Sequence, residues 1–310
     1  MVNLSFSFHC KFYTQESNML SKIQKIGLKC LLYKITGRLF PKDEQILSAC
    51  DRIGAYRYLE KYKYVLNRLD IKHLPVQAKP NIIWLCWLQG YQNAPLLVQK
   101  CRDSIVKHNP DMEIVVVDNT NLEQYVQLPD YIKRKHDAGI IPHAHYADLI
   151  RVALLEKYGG TWIDATTYMT DTLPDYIIGS ELFCFKTFPY GKCYASNWFI
   201  SAQPNNPIIH QMKSLLFEYW NKESKLVSYS IFHLFWAMTI TFNDTNAHLW
   251  DKIPYFDDVN CKVLQMELFK PFSQERFDQI TAITPIHKLT YKFSSEQYQL
   301  ENTFYKFLIK

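Results

Sequence analysis

Short apolar runs and longer amphipathic segments alternate along residues 80–220, and their lengths and periods predict strands and helices in turn. Residues 82–88 and Glu113–Val117 have the length and apolar character of buried strands. Residues 95–108, which lie between them, carry apolar positions at helical spacing. A strand, a helix and a second strand in that order favour a parallel sheet.

Residues 143–158 predict a central apolar helix, which Gly159 and Gly160 end before the next strand begins. The alternation then continues without an internal repeat. The further elements predicted are strands over residues 161–163, 182–185 and 198–201 and helices over residues 207–220 and 230–241. This order of elements predicts an α/β fold with a central sheet.

A proline-containing segment, residues 73–80, separates this region from the N-terminal part of the chain. We therefore predict two parts, a helical N-terminal extension over residues 1–75 and a main domain over residues 76–310. Within the extension, residues 19–40 have the pattern of a basic amphipathic helix. An ordinary packed helix with a solvated lysine edge explains that pattern equally well. Its apolar stripe consists of Met19, Ile23, Ile26, Cys30 and Tyr33, and its flanking cations are Lys22, Lys25 and Lys29.

Composition and charge narrow the range of partners. The chain has 310 residues, of which 48% are hydrophobic and 15% aromatic, which suits a large folded core. Residues 1–72 hold 13 Lys and Arg against 6 Asp and Glu, whereas the rest holds 22 against 24. The main domain lacks the dense basic patch of a nucleic-acid-binding protein, so no nucleic acid partner is expected. The basic N-terminus indicates an anionic surface, such as a membrane leaflet or a lipid pyrophosphate.

The distribution of the eight cysteines and the absence of targeting signals indicate the compartment. The cysteines are scattered without CxxC or zinc spacing, which is typical of reduced thiols in a cytosolic protein. The N-terminus lacks the features of a signal peptide, and no stretch of ~18 apolar residues suggests a membrane span. We expect a cytoplasmic protein that is peripheral on the inner face of the cell membrane.

Three charged residues are the strongest candidates for chemistry. Asp148 and Arg151 are three apart and share one face of the apolar helix, where charges are costly unless they are paired or bound to a ligand. Asp164 follows at the C-terminal end of a short strand, where ligands bind in open α/β sheets. Together, these two acids and one guanidinium predict a site that binds a metal ion and a phosphate. A buried structural ion pair and a turn-capping carboxylate are the alternatives.

Other residues are candidates for recognising a ligand. Trp84 and Trp87 lie on the first strand, where one indole is expected in the core, and Trp87 is favoured for a nucleobase because it is nearer the strand end. Gln89 follows, and Gly90 would let backbone approach the ligand. Polar side chains also interrupt apolar elements further along. Asn197, which precedes Trp198, could bind sugar hydroxyls or loop backbone. His233 is more typical of a core histidine than of a residue that hydrogen-bonds the acceptor substrate. His143 and His145 diverge on a helix, so they are not a chelating pair.

The motifs Ala-Asp148-x-x-Arg151 and Tyr158-Gly-Gly-x-x-x-Asp164 resemble those of the capsular polysaccharide synthesis family of sugar transferases. That family is similar to glycosyltransferase family 32 and its DxD sugar-binding region. The resemblance covers roughly residues 76–292. It is extended by the segments at residues 83–90, 93–95, 196–200, 232–235 and 286–292.

The resemblance implies a GT-A-like nucleotide-sugar transferase fold with a central mixed, mainly parallel sheet. It implies transfer of a hexosyl or N-acetylhexosaminyl unit from a nucleotide-sugar, expected to be a UDP-sugar, to a growing surface or capsular polysaccharide or a lipid-linked oligosaccharide. Retention of configuration and a divalent metal, Mn²⁺ or Mg²⁺, are also expected. The implied roles are catalysis for Asp148, Arg151 and Asp164; donor binding for Trp87, Gln89, Gly90, Asp148, Arg151, Lys288 and Lys292; substrate binding for Asn197, Trp198 and His233; and metal binding for Asp164, Thr166 and His287.

Two alternatives remain open, and the first of them rests on a departure from the family pattern. The two-acid form would have a carboxylate two residues after Asp164, and Thr166 stands there instead. A relative that binds nucleotide-sugars or glycans but has lost catalysis is therefore one alternative. A metal-dependent phosphodiesterase is the other, although such enzymes normally show more clustered His and Asp ligands.

Overall fold

The computed structural model describes residues 44–75, 77–187 and 194–310, together with positions 32, 33 and 35. Its contacts divide the chain into two compact units, Met1–Tyr58 and Leu59–Lys310. The amphipathic helix predicted over residues 19–40 lies almost wholly outside the described residues. Within those residues, the structure contains no helix with both the length and the apolar character needed to cross a membrane.

The second unit is built on a five-stranded sheet with the strand order β2-β1-β3-β6-β5. Strands β1 and β2, and strands β1 and β3, pair in parallel, whereas β6 is antiparallel to both β3 and β5. Among the five strands of this sheet, β6 alone therefore runs in the opposite direction. The strands are β1 Ile82–Cys86, β2 Glu113–Val117, β3 Gly160–Ile163, β4 Thr167–Met169, β5 Leu182–Thr187, β6 Tyr194–Ala202 and β7 Ile286–Lys288.

Helices of the second unit pack against the strands of this sheet. The described α-helices are α1 Glu44–Leu59, α2 Lys63–Arg68, α3 Leu96–His108, α4 Leu122–Tyr125, α5 Asp130–Asp137, α6 His143–Tyr158, α7 Asp175–Ile178, α8 Pro207–Lys222, α9 Ile231–Ile240, α10 Asp244–Asp251, α11 Val263–Glu267, α12 Gln274–Thr281, α13 Ser295–Gln299 and α14 Phe304–Leu308. Helix α6 packs against α8, which in turn packs against α9. The predicted α/β class with a mixed, mainly parallel central sheet is confirmed.

Helix α6 and strand β3 are joined by a turn that requires glycine twice. Gly159 has φ +69°, and a Cβ there would lie 2.6 Å from Cδ of Pro204. Gly160 has φ +91°, and a Cβ there would lie 2.7 Å from the carbonyl oxygen of Ile82. Because both positions need a left-handed backbone and a bare Cα, the helix ends abruptly and β3 enters the sheet beside β1.

A second, two-stranded sheet was not predicted from the sequence. Strand β7 pairs antiparallel with β4, with Lys288 opposite Thr167 and His287 opposite Tyr168. The backbone N–H of Leu289 also donates to the carbonyl oxygen of Thr166 at 2.8 Å. This pairing brings a segment from near the C-terminus alongside the residues that follow β3.

Candidate functional site

A cleft of about 590 Å³ lies where strands β1 and β3 end and helix α6 begins. Its position agrees with the general rule that ligands bind outside the carboxyl ends of strands in open α/β sheets. Most of the residues predicted to bind a ligand line it. These are Trp87, Gln89, Asp148, Arg151, Asp164, Thr166, Asn197, His233, Lys288 and Lys292.

Arg151 joins the two predicted carboxylates. Its Nη1 donates to Oδ1 of Asp148 one helical turn earlier, and its Nη2 donates to Oδ1 of Asp164 at 2.9 Å. The guanidinium also lies over the Trp162 ring, 4.7 Å from the centroid. Arg151 is 3% exposed, so both ion pairs form in a largely dry environment where an unpaired charge would be costly.

Asp164 is surrounded by donors and keeps its charge. Besides Arg151, Oδ1 accepts from Nε1 of Trp162 at 3.0 Å, and Oδ2 accepts from Nζ of Lys288 at 3.0 Å. Burial raises the pKa of Asp164, but the charges of Lys288 and Arg151 outweigh that effect and hold the pKa below its ordinary value. The Asp164 side chain is still 28% exposed and lines the cleft.

Lys288 is held by two residues that follow β3. Its Nζ donates to Oγ1 of Thr166 at 2.7 Å as well as to Asp164. The ammonium also lies 5.8 Å from the centroid of the Trp198 ring. Strand pairing between β7 and β4 fixes this position, since Lys288 is directly opposite Thr167 in the ladder.

Asp148 is the more deeply buried acid. Its Oδ1 also accepts from Nδ2 of Asn197 at 3.0 Å, and Nδ1 of His145 lies 3.8 Å from its Oδ2. Burial raises the pKa of Asp148, and the nearby Arg151 and His233 offset only part of that effect. Asp148 and Asp164 therefore differ in proton affinity even though one guanidinium contacts both.

Aromatic and basic residues form the outer wall of the cleft. Trp87 packs edge-on against Tyr291 at 5.4 Å, and the exposed Lys292 follows Tyr291. Trp84 is 1% exposed and donates from Nε1 to the carbonyl oxygen of Gly159 at 2.8 Å. Trp84 therefore lies in the core, whereas Trp87 lines the cleft, and a role for Trp87 in ligand binding stays a prediction.

Three predicted site residues lie outside the residues that line the cleft. Gly90 has φ +83° and donates to the carbonyl oxygen of Trp87 at 2.9 Å, so its glycine requirement belongs to a turn. Trp198 is buried and stacks on Phe185 at 5.0 Å. His287 is fully buried, and its Nε2 lies 3.1 Å from Oγ1 of Thr170. Alternate residues of a strand point to opposite sides, so β7 turns His287 away from the cleft when it presents Lys288.

His145 lines the cleft, whereas from the sequence it was considered only as half of a chelating pair with His143 and rejected as such. Its ring is 3% exposed, and neither ring nitrogen has a hydrogen-bond partner among the described residues. Burial lowers the pKa of His145 to about 4. Its i, i+3 spacing to Asp148 on an apolar helix was the available signal. Tyr229, Phe232 and Tyr291 also line the cleft and were not predicted.

Comparison with known proteins identifies the family. The sequence profile described as "Capsular polysaccharide synthesis protein" matches residues 48–308, which is most of the chain. The chain belongs to the capsular polysaccharide synthesis protein family. The resemblance stated from the sequence motifs is thereby confirmed at the level of the family.

Two relatives of this family member carry glycosyltransferase names. An "O-glycosyltransferase braB" of Annulohypoxylon truncatum is 28% identical over 173 residues, which cover 49% of this chain and 40% of that protein. An "Uncharacterized glycosyltransferase L373" of Acanthamoeba polyphaga mimivirus is 25% identical over 155 residues, 48% of this chain and 60% of that protein. Both alignments span less than two thirds of the relative. The solved structure of the PaToxG glycosyltransferase aligns with a TM-score of 0.39 at 16% identity, covering 83% of this chain and 95% of that one.

The side chains around Asp164 do not fit the divalent metal that the family resemblance implies. Mg²⁺ and Mn²⁺ prefer several oxygen ligands, carboxylates above all. Here Asp164 has donors on both oxygens, Thr166 supplies a neutral hydroxyl that already accepts from Lys288, and His287 faces elsewhere. Among the residues that the structure describes, no three His, Cys, Asp or Glu side chains are grouped as a metal site would require.

Proposed function

We propose that this protein is a glycosyltransferase that moves a hexosyl or N-acetylhexosaminyl unit from a UDP-sugar to a growing surface polysaccharide or a lipid-linked oligosaccharide. The observation that carries the proposal is the line Arg151–Asp164–Lys288 on the cleft wall, where two cations flank one carboxylate at the end of β3. Membership of the capsular polysaccharide synthesis family and the glycosyltransferase names of two relatives support it.

The cleft offers complementary groups for each part of such a donor. Lys288 and the exposed Lys292 offer ammonium groups to a diphosphate. The chain has only 9 glycines, so a glycine-rich phosphate-binding loop is not expected and cationic side chains take that role. Trp87 offers an aromatic face to the uracil ring. The Asp148 carboxylate and the Asn197 amide, which are hydrogen-bonded to each other, offer acceptors and donors to sugar hydroxyls.

The transfer itself breaks the bond between the sugar C1 and the β-phosphate oxygen, and the electron pair leaves on that oxygen. A bond forms between C1 and the acceptor hydroxyl oxygen, and the hydroxyl proton passes to the departing phosphate. Both acidic residues in the cleft, Asp148 and Asp164, bind Arg151. Neither is placed as a free nucleophile, so we propose retention by attack on the face from which the diphosphate leaves. Cations beside that phosphate oxygen stabilise the charge that develops there.

A panel of nucleotide-sugars tests the function. Purified protein is incubated with each donor, with and without a mixture of glycan acceptors, and both free nucleoside diphosphate and sugar-bearing product are measured. We expect release of UDP and a product that contains the transferred sugar. Binding of UDP-sugars without turnover would favour a relative that has lost catalysis, the alternative suggested by Thr166 in place of a second acid. Release of sugar phosphate would favour a phosphodiesterase.

The basic N-terminal segment suggests how a lipid-linked acceptor is reached. Residues 1–72 carry a surplus of seven positive charges over negative ones, and the stripe that begins at Met19 lies within them. Each basic residue near an anionic membrane contributes about 1 kcal/mol. We therefore extend the proposal to peripheral attachment at the inner face of the cell membrane, although most of this segment lies outside the described residues.

A further inference from the structure

We propose that the ammonium group of Lys288 occupies the place of a divalent metal ion, so that the donor diphosphate is bound and released without a metal. The inference rests on the proposed function, since it concerns the same site. It assigns to Lys288 the position beside Asp164 that the family resemblance gives to Mn²⁺ or Mg²⁺.

The first observation is that both carboxylate oxygens of Asp164 already accept hydrogen bonds, one of them from an ammonium group. Oδ1 accepts from Arg151 at 2.9 Å and from Trp162 at 3.0 Å, and Oδ2 accepts from Lys288 at 3.0 Å. A metal ion at Oδ2 would lie beside the ammonium group, and two cations side by side repel each other strongly in a partly buried site. The side chain of Lys288 is only 18% exposed, so water screens its charge weakly.

The second observation is the match between Thr166 and Lys288. Oγ1 of Thr166 accepts from Nζ at 2.7 Å, so the residue that replaces the second acid binds the same ammonium as the first acid does. A neutral hydroxyl is a weak ligand for a hard divalent cation and a good acceptor for an N–H group. An ammonium group has three N–H donors. Asp164 and Thr166 use two of them, and the third is available to a phosphate oxygen in the cleft.

The third observation is the charge balance of the cleft floor. Asp148 and Asp164 are matched by Arg151 and Lys288, and all four line the same cleft. A carboxylate in place of Thr166 would leave an excess negative charge for a divalent ion to neutralise. With threonine there, the protein's own side chains complete the neutralisation, and Lys288 stabilises the charge that develops on the departing diphosphate.

Calorimetric titration with UDP, in EDTA and in Mn²⁺, tests the inference on the full-length protein. We expect the wild-type affinity to be the same in both media. Lys288→Met keeps the aliphatic stem and should weaken binding about 10- to 100-fold in EDTA, the scale of one charge-assisted hydrogen bond. The double variant Thr166→Asp/Lys288→Met restores two carboxylates without the competing ammonium, so its UDP affinity should depend on Mn²⁺. Lys107→Ala, on the exposed face of α3, is the matched control and should behave as wild type.

The possible outcomes separate this inference from the proposed function. Wild-type protein that binds UDP or turns over a UDP-sugar only with Mn²⁺ would overturn the inference and leave the proposed function standing. That comparison needs no variant, so it holds even if Lys288→Met fails to fold. If no UDP binding occurs in either medium and no donor is turned over, the proposed function fails and the inference fails with it.

Discussion

Asn197 donates a hydrogen bond from Nδ2 to Oδ1 of Asp148 at 3.0 Å, although the two residues are 49 positions apart. The same oxygen accepts from Arg151, so an amide from β6 and a guanidinium from α6 share one buried carboxylate. This shared oxygen links strand β6 to helix α6 through hydrogen bonds. The stability of such a buried polar network depends on each of its members.

Asn197→Ala should lower the free energy of unfolding by about 1.5–3 kcal/mol, because a hydrogen bond to a buried charge is lost. Asn197→Asp should be worse at neutral pH, since it places a second carboxylate against Asp148. Urea unfolding at pH 7 measures both changes. Asn119→Ala, an exposed position away from the cleft, is the control. Equal stability of the two Asn197 variants would show that Asp148 is not the partner that matters.

Asp164→Asn should reduce sugar transfer by about 100- to 1000-fold while the protein stays folded, because the amide keeps the shape but loses the charge that orients Arg151 and Lys288. UDP release from the donor gives the rate, and thermal unfolding checks the fold. Asp111→Asn, on an exposed loop, should leave the rate unchanged. A rate within a few-fold of wild type would remove Asp164 from the mechanism.

Arg151→Ala should destabilise the protein by about 3–5 kcal/mol, because it leaves two carboxylates without their shared cation. Arg151→Lys should cost less stability, since the charge remains, but should still impair transfer because one ammonium cannot replace the two-pronged guanidinium. Thermal unfolding and UDP release, measured on both variants, separate the structural role from the catalytic one. Normal melting and full activity in the alanine variant would contradict both roles.

Two buried histidines should make the protein less stable in mild acid. Burial lowers the pKa of both His145 and His287 to about 4, below the ordinary value of 6.5. The unfolded chain therefore takes up protons that the folded protein does not, and stability falls as the pH drops from 6.5 towards 4, with little effect above 6.5. Between these two pKa values, each histidine lowers the free energy of unfolding by about 1.4 kcal/mol per pH unit.

Urea unfolding of wild type and His287→Gln between pH 4.5 and 7.5 checks this expectation. The glutamine can still bond to Thr170, and it removes one titrating group, so its stability should vary less steeply over the same range. The difference between the two curves isolates His287 from the other titrating groups, Asp148 and Asp164 among them. If the stability of the two proteins varied equally with pH, His287 would not be a buried, neutral histidine.

The N-terminal segment should bind anionic vesicles at low salt. Flotation with phosphatidylserine-containing vesicles compares the full chain with the variant Lys22/Lys25/Lys29→Glu. Binding should weaken between 0.1 M and 1 M salt, as the Debye length shortens from about 10 Å to about 3 Å, and the variant should not float. Wild-type protein that ignores such vesicles at 0.1 M salt would leave the segment as an ordinary packed helix.

Local sequence determined the central part of the site. Asp148 and Arg151 are one turn apart on α6, and the pair Gly159–Gly160 delivers Asp164 to the end of β3 a few residues later. Their meeting depends on helix periodicity and on a turn that only glycine fits, both of which can be read from adjacent positions. The strands predicted over residues 82–88 and Glu113–Val117 and the helix predicted over residues 143–158 also rest on local patterns, and the structure ends the first strand at Cys86.

Tertiary structure decided which distant residues complete that site. Lys288 reaches Asp164 across 124 positions only because β7 pairs with the short strand β4. A shift of one residue in that ladder would exchange the faces of His287 and Lys288 and bring a histidine to Asp164 instead. Three-residue strands carry too little pattern to set their own register. Long-range pairing of strands therefore decided which side chain lies beside Asp164.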